Sequence, residues 1–209
     1  MYKECNYKYG IIGIVSWILY MLGLLFMGIM HKNGFQYRQY QFIYVIMFFW
    51  VVAAAFLLKR KDGFSFLGFG GDKLKIDSVI SVCMIAVVFI ASIFLSEHSI
   101  PQLLKLSLYY IFYIGAVEEI IFRGFIQNCL FGLKLNRIVT FLIGGVFFSL
   151  MHLPFQMYLH GNVSFMYLAE VWPNLIFTFG VHLLFCFITC KRKNIMLPIA
   201  IHYAINYLG

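Results

Sequence analysis

Charge is scarce in this sequence: Asp, Glu, Lys and Arg supply 11% of 209 residues, and only eight of them are acidic. A soluble domain of this length needs far more charge to cover its surface, so a water-soluble fold is excluded. The net charge of +8 is not arranged as a basic stripe with interleaved aromatics, so no nucleic-acid partner is expected. No two of the five cysteines (Cys5, Cys83, Cys129, Cys186 and Cys190) form a CxxC pair. Neither a disulfide framework nor a zinc–thiolate site is expected from them. No secretory leader is expected either: the first apolar run, about Gly10 to Met30, is too long for its apolar core, has no small-residue cleavage site and reads as the first span. No internal repeat or low-complexity tract is present.

What the sequence has is hydrophobicity, 63% of the residues with a mean hydropathy of +0.88. A helix needs ~20 apolar residues to cross the hydrocarbon of a bilayer. The apolar runs predict an all-α, polytopic transmembrane bundle of about seven helices, near 9–30, 41–58, 76–96, 104–131, 137–153, 165–190 and 194–208. Breakers such as Lys32-Asn33-Gly34, Lys61-Asp62-Gly63 and His160-Gly161-Asn162 separate them. The chain is read as one integral membrane domain, with three helices in 1–103 and a core in 104–209. The short, glycine-interrupted stretch Phe64–Phe69 is expected at the membrane interface.

Basic residues set the expected orientation. One side gathers twelve: Lys3, Lys8, Lys59, Arg60, Lys61, Lys73, Lys75, Lys134, Arg137, Lys191, Arg192 and Lys193. The other holds three: Lys32, Arg38 and Lys105. By the positive-inside rule the N-terminus is cytoplasmic, the C-terminus outside, and the mouth of any site turns to the cytoplasm. The seventh helix, at ~22 Å for about fifteen residues, is the weakest span.

Ionisable groups at membrane depth are costly and mark functional positions. Glu119 and Arg123 stand four apart on the fourth helix and share a face, as an ion pair would. Glu118 points elsewhere, an isolated carboxylate of the kind that serves as a general base. His152 ends the fifth helix just before Pro154, with Phe148 four residues earlier on the same face. Alone it reads as readily as a core histidine. His202 and Asn206 stack on one face of the seventh helix, fit either for a site or for an interhelical hydrogen bond. His182 reads as structural and Glu170, before Trp172-Pro173, as an interfacial anchor. Counted from the basic loops, Glu118, His152 and His202 lie ~24, ~22 and ~14 Å along their helices, so one layer can hold all three.

The ordered set Glu118-Glu119-x-x-x-Arg123, Phe148-x-x-x-His152 and His202-x-x-x-Asn206, each on its own helix, resembles the CPBP family of intramembrane proteases. That family includes CAAX prenyl endopeptidases and bacteriocin-processing and self-immunity proteins. The resemblance covers about 104–208; the first three helices match only in being hydrophobic. It implies that Glu118 and His152 activate a water against a peptide carbonyl, and that His202 and Asn206 stabilise the oxyanion. Glu119, Arg123 and Phe148 would support them. The family has been described both as zinc-type metalloproteases and as metal-independent glutamate proteases. Glu118, His152 and His202 could supply three ligands to a divalent metal such as zinc, although the His-Glu-x-x-His run is absent.

The resulting expectation is an intramembrane endopeptidase acting on a peptide or small membrane-associated protein, in a bacterial inner membrane. Pheromone or bacteriocin processing, or self-immunity, suits that setting. The sequence ends three residues after Asn206, so lipid, a second copy of the chain or a partner is expected to cover the seventh helix. Two alternatives stand: a catalytically silent peptide-binding immunity protein of the same fold, and a proton-coupled transporter. The latter lacks the internal repeat and broken half-helices common in transporters.

Overall fold

Apolar runs surrounded by lipid must satisfy every backbone N–H and C=O internally, so they wind into helices. The computed structural model describes Tyr2, residues 6–164 and residues 166–208, with only the backbone of Tyr37, Arg38 and Arg60. Lys3, Cys5 and the side chains of Arg38 and Arg60 lie outside the described residues. Within them the protein is all helix, with no strand. Its long helices are α1 (Tyr7–Lys32), α2 (Phe42–Lys59), α3 (Leu74–Leu95), α4 (Ile100–Leu133), α5 (Arg137–Leu150), α6 (Met166–Arg192) and α7 (Met196–Leu208). Shorter turns of helix occupy Tyr37–Tyr40 and Gly63–Phe66. The segment Leu153–Leu159 extends α5 past a break at Met151 and His152.

Local chemistry starts these helices where they start. Asn6 and Asn136 cap α1 and α5 by accepting from Lys8 N at 3.1 Å and Ile138 N at 2.8 Å. Pro101 sits at the beginning of α4, where Ser99 and Gln102 form a capping box. Six helices among the described residues, counting Arg137–Leu159 as one, are long and apolar enough to cross a membrane. The thirteen residues of α7 reach only ~20 Å against ~30 Å of hydrocarbon. The seven spans expected from sequence thus become six, with a short seventh helix packed among them.

The basic helix ends gather at one end of the bundle. There the Tyr2 amide donates to Asn128 Oδ1 at 2.7 Å, tying the N-terminal segment to α4. The buried Asp77 of α3 takes a forked pair from Arg192 at the end of α6 and a hydrogen bond from Asn194 Nδ2 at 2.7 Å. Arg137 of α5 donates to Cys190 Sγ of α6 at 3.0 Å. Between the ends, α1 presents Gly10, Gly13 and Ser16 among its buried residues, with Gly10 and Gly13 closely packed against α4. Lipid tails are as apolar as leucine, so close backbone approach through small residues is what holds such helices together.

The stretch Phe64–Phe69 lies at the basic end of the bundle, where Asn128 Nδ2 donates to the Phe66 carbonyl at 2.6 Å, and it is more deeply packed than its composition suggests. Phe66 and Leu67 are buried in the core, and Gly68 O accepts from Ile195 N at 3.1 Å. Gly124 of α4 admits this segment: a Cβ there would overlap the Leu67 carbonyl oxygen. The apolar stretch is therefore a wedge between α4 and the start of α7, held by backbone approach that composition does not reveal.

Candidate active site

Around its acidic pair α4 leaves ordinary α-helical winding. Tyr109–Gly115 and Glu119–Ile126 are π-helical, with Ala116–Glu118 as an α turn between them. Such winding is rare and concentrates at functional sites.

Glu119 and Arg123 pair as their spacing predicts, Nη1 to Oε1 at 2.9 Å, with both side chains fully buried. The guanidinium lies 3.9 Å from the centre of the Phe148 ring and 5.0 Å from that of Phe185. Aromatic faces thus replace water around the cation. His202 of α7 adds its Nδ1 at 2.8 Å from the same Glu119 oxygen. A carboxylate oxygen accepts, so Nδ1 donates, and Nε2 is left facing Glu118 Oε2 at 3.7 Å. Glu118 is therefore not the isolated carboxylate of the sequence reading. One imidazole stands between two successive glutamates, one locked to arginine and the other not.

Glu118 retains 9% of its surface and lines a cavity of about 220 Å³. His152 lines the same cavity from the break after α5. Its Nδ1 lies 3.1 Å from the Phe148 carbonyl oxygen and 3.3 Å from that of Ser149. Carbonyls only accept, so Nδ1 is the N–H and Nε2 is the ring nitrogen free for chemistry. Phe148 acts in two directions: its ring covers Arg123 and meets the His152 ring edge-on at 5.3 Å.

The remaining wall is largely aromatic, with Tyr20 of α1, Tyr44 of α2, Tyr109 and Tyr113 of α4 and Phe155 beyond α5. Sequence reasoning missed Tyr20 and Tyr44, on helices that looked merely hydrophobic. The available signal was a phenol within an otherwise apolar span, since a buried tyrosine usually brings its hydroxyl to a polar place. This lining comes from the second half of α1, the first turn of α2, the first half of α4 and the far side of the α5 break. All of these are remote from the basic end. A mouth at the basic end, expected from the charge count, is thus corrected: loop charges order helix ends and carry no information on which end packs loosely.

Asn206 is not brought to this cavity. It lines a second one of about 520 Å³ with Ser92, Ser96, His98, Tyr110 and Tyr207. His182 is buried in a separate network, with Nε2 at 3.0 Å from Gln127 Oε1 and 3.2 Å from Cys186 Sγ. Gln127 Nε2 in turn donates to the Thr140 carbonyl at 3.1 Å. Glu170 accepts from Asn162 Nδ2 at 3.0 Å across the loop before α6.

The donor set expected for a metal does not fit one as it stands. Among the described residues no three His, Cys, Asp or Glu side chains are gathered closely enough to hold an ion. His202 has committed Nδ1 to Glu119, and only its Nε2 approaches Glu118.

Comparison with known proteins adds one finding. A family described as type II CAAX prenyl endopeptidase Rce1-like matches residues 100–208, just over half the chain, which includes every motif residue of α4, α5 and α7. Neither a curated protein nor a solved structure matches.

Proposed function

The chain belongs to the type II CAAX prenyl endopeptidase Rce1-like family, and from that premise, an integral multi-pass protease, we propose that Glu118 is its general base. The observation that carries the proposal is the cavity shared by Glu118 and the free Nε2 of His152. A water held there gives a proton to Glu118 while its oxygen adds to the peptide carbonyl carbon. The tetrahedral oxyanion collapses as the C–N bond breaks, and the proton passes to the departing amine. His152 is in position to donate to the oxyanion or the amine once its Nε2 is protonated. Glu119 and Arg123 position His202, whose Nε2 faces Glu118 at 3.7 Å. The metal-dependent route has no donor set of three behind it, so no step is assigned to a metal.

The substrate we propose is a peptide or small membrane-associated protein, as in pheromone or bacteriocin maturation or self-immunity, in a bacterial inner membrane with the basic end cytoplasmic. Asn206 lines the other cavity, so its role as oxyanion donor lacks support from its position. That same placement favours a second reading, in which the protein binds peptide without cutting it. Proteolysis in reconstituted membranes separates the two, with a peptide library read by mass spectrometry for the parent and Glu118→Gln. Cleavage by the parent alone supports the base assignment. Equal cleavage by both removes Glu118 from the mechanism, and binding without cleavage by either selects the second reading.

A further inference from the structure

A third cavity, of about 530 Å³, opens between α5 and α6 at the basic end of the bundle. Its walls are Phe141, Leu142, Leu183 and Phe187, and its rim carries Arg137 and Lys191. The volume falls in the range of small-molecule sites, and the walls are apolar apart from the Cys190 thiol, which Arg137 already engages. The rim is different. Arg137 lies 5.6 Å from the Phe141 ring centre and Lys191 5.3 Å from that of Phe187. Each cation is thus seated on an aromatic four residues away on its own helix.

Neither rim cation has a carboxylate within ion-pair distance among the described residues, where the salt bridges engage Glu118, Glu119 and Asp77. Arg123 is neutralised by Glu119 and Arg192 by Asp77. Arg137 instead donates to a neutral thiol, Cys190 Sγ, at 3.0 Å. Two positive charges at the mouth of an apolar groove between helices, at a membrane-facing end, match an amphiphile with an anionic head and a hydrocarbon tail. We propose that this groove binds one anionic phospholipid, its phosphate between Arg137 and Lys191 and an acyl chain along Phe141, Leu183 and Phe187. The groove shares no lining residue with the cavity that holds Glu118, and the proposal does not depend on the proteolysis reading.

The test is native mass spectrometry of the full chain released from phosphatidylcholine vesicles containing phosphatidylglycerol. The parent retains phosphatidylglycerol preferentially, by roughly thirty-fold for two interfacial cations. Arg137→Gln with Lys191→Gln loses that preference while still carrying phosphatidylcholine. Leu183→Trp, which fills the groove and leaves both charges, loses retention of either lipid. Unchanged preference in the double variant overturns the proposal, as does unchanged retention in Leu183→Trp. Displacement of phosphatidylglycerol by inorganic phosphate alone also overturns it, assigning the rim to free anions.

Discussion

Replacing Arg123 by methionine isolates the contribution of the buried pair beneath the site. Methionine keeps much of the length and packing against Phe148 and Phe185 but removes the cation. Glu119 Oε1 then has His202 Nδ1 as its single partner, and Oε2 already has none. Breaking a buried ion pair from one side costs about 3–5 kcal/mol, because the remaining charge is left uncompensated. Loss of the contact to two ring faces adds to that by up to about 2 kcal/mol. Against this, Arg123 Nε and Nη2 make no hydrogen bond, and removing unsatisfied donors recovers about 1–3 kcal/mol. The balance is a destabilisation of roughly 3–4 kcal/mol, a fall in Tm of about 6–16 °C for a chain of this size. The buried thiols of Cys129 and Cys186 provide the assay, through their reaction with a thiol-specific fluorophore during heating in detergent. Adding Glu119→Gln to Arg123→Met should restore most of the loss. A single variant melting within about 2 °C of the parent refutes the claim that the pair is a coupled, charged unit.

Three further outcomes are expected. Glu118→Gln lowers kcat by about 10²–10⁴, the range of general-base contributions, with Tm unchanged, measured on whichever peptide the library identifies. Asn206→Ala leaves kcat within about threefold of the parent, while His202→Ala lowers it by at least about tenfold; equal losses would return Asn206 to the site. Gly124→Val forces a side chain into the Leu67 carbonyl and costs about 1–3 kcal/mol or more, seen as earlier thiol exposure on heating.

The helices were legible because lipid leaves the backbone few alternatives, and each expected span lies close to its observed bounds. The Glu119–Arg123 pair was legible because it depends on spacing within a single helix. What was hidden depends on contacts between helices. The proximity of His202 to both glutamates follows from how α7 docks against α4, and no pattern within α7 distinguishes His202 from Asn206. Tyr20 and Tyr44 reach the cavity through the packing of α1 and α2, which the motif comparison did not cover. The wedge at Leu67 and Gly124 is a backbone contact between segments distant in sequence, so the apolar composition of Phe64–Phe69 did not reveal it.

The π-helical winding of α4 gives that helix slack. A π turn holds more residues per revolution than an α turn, so Tyr109–Gly115 stores a phase offset between the halves of α4. Ahead of it, Ser107 meets the Tyr203 hydroxyl of α7 at 3.0 Å; behind it, Glu119 meets His202 of the same helix. A straight α-helix of equal sequence would turn one of these contacts away from α7. Deleting Phe112, whose side chain points outward, would rewind the stretch and make α4 choose between its two grips on α7. The carboxylates are thus aimed by a miscount in the helix, and the length of α4 is as much a part of the site as its side chains.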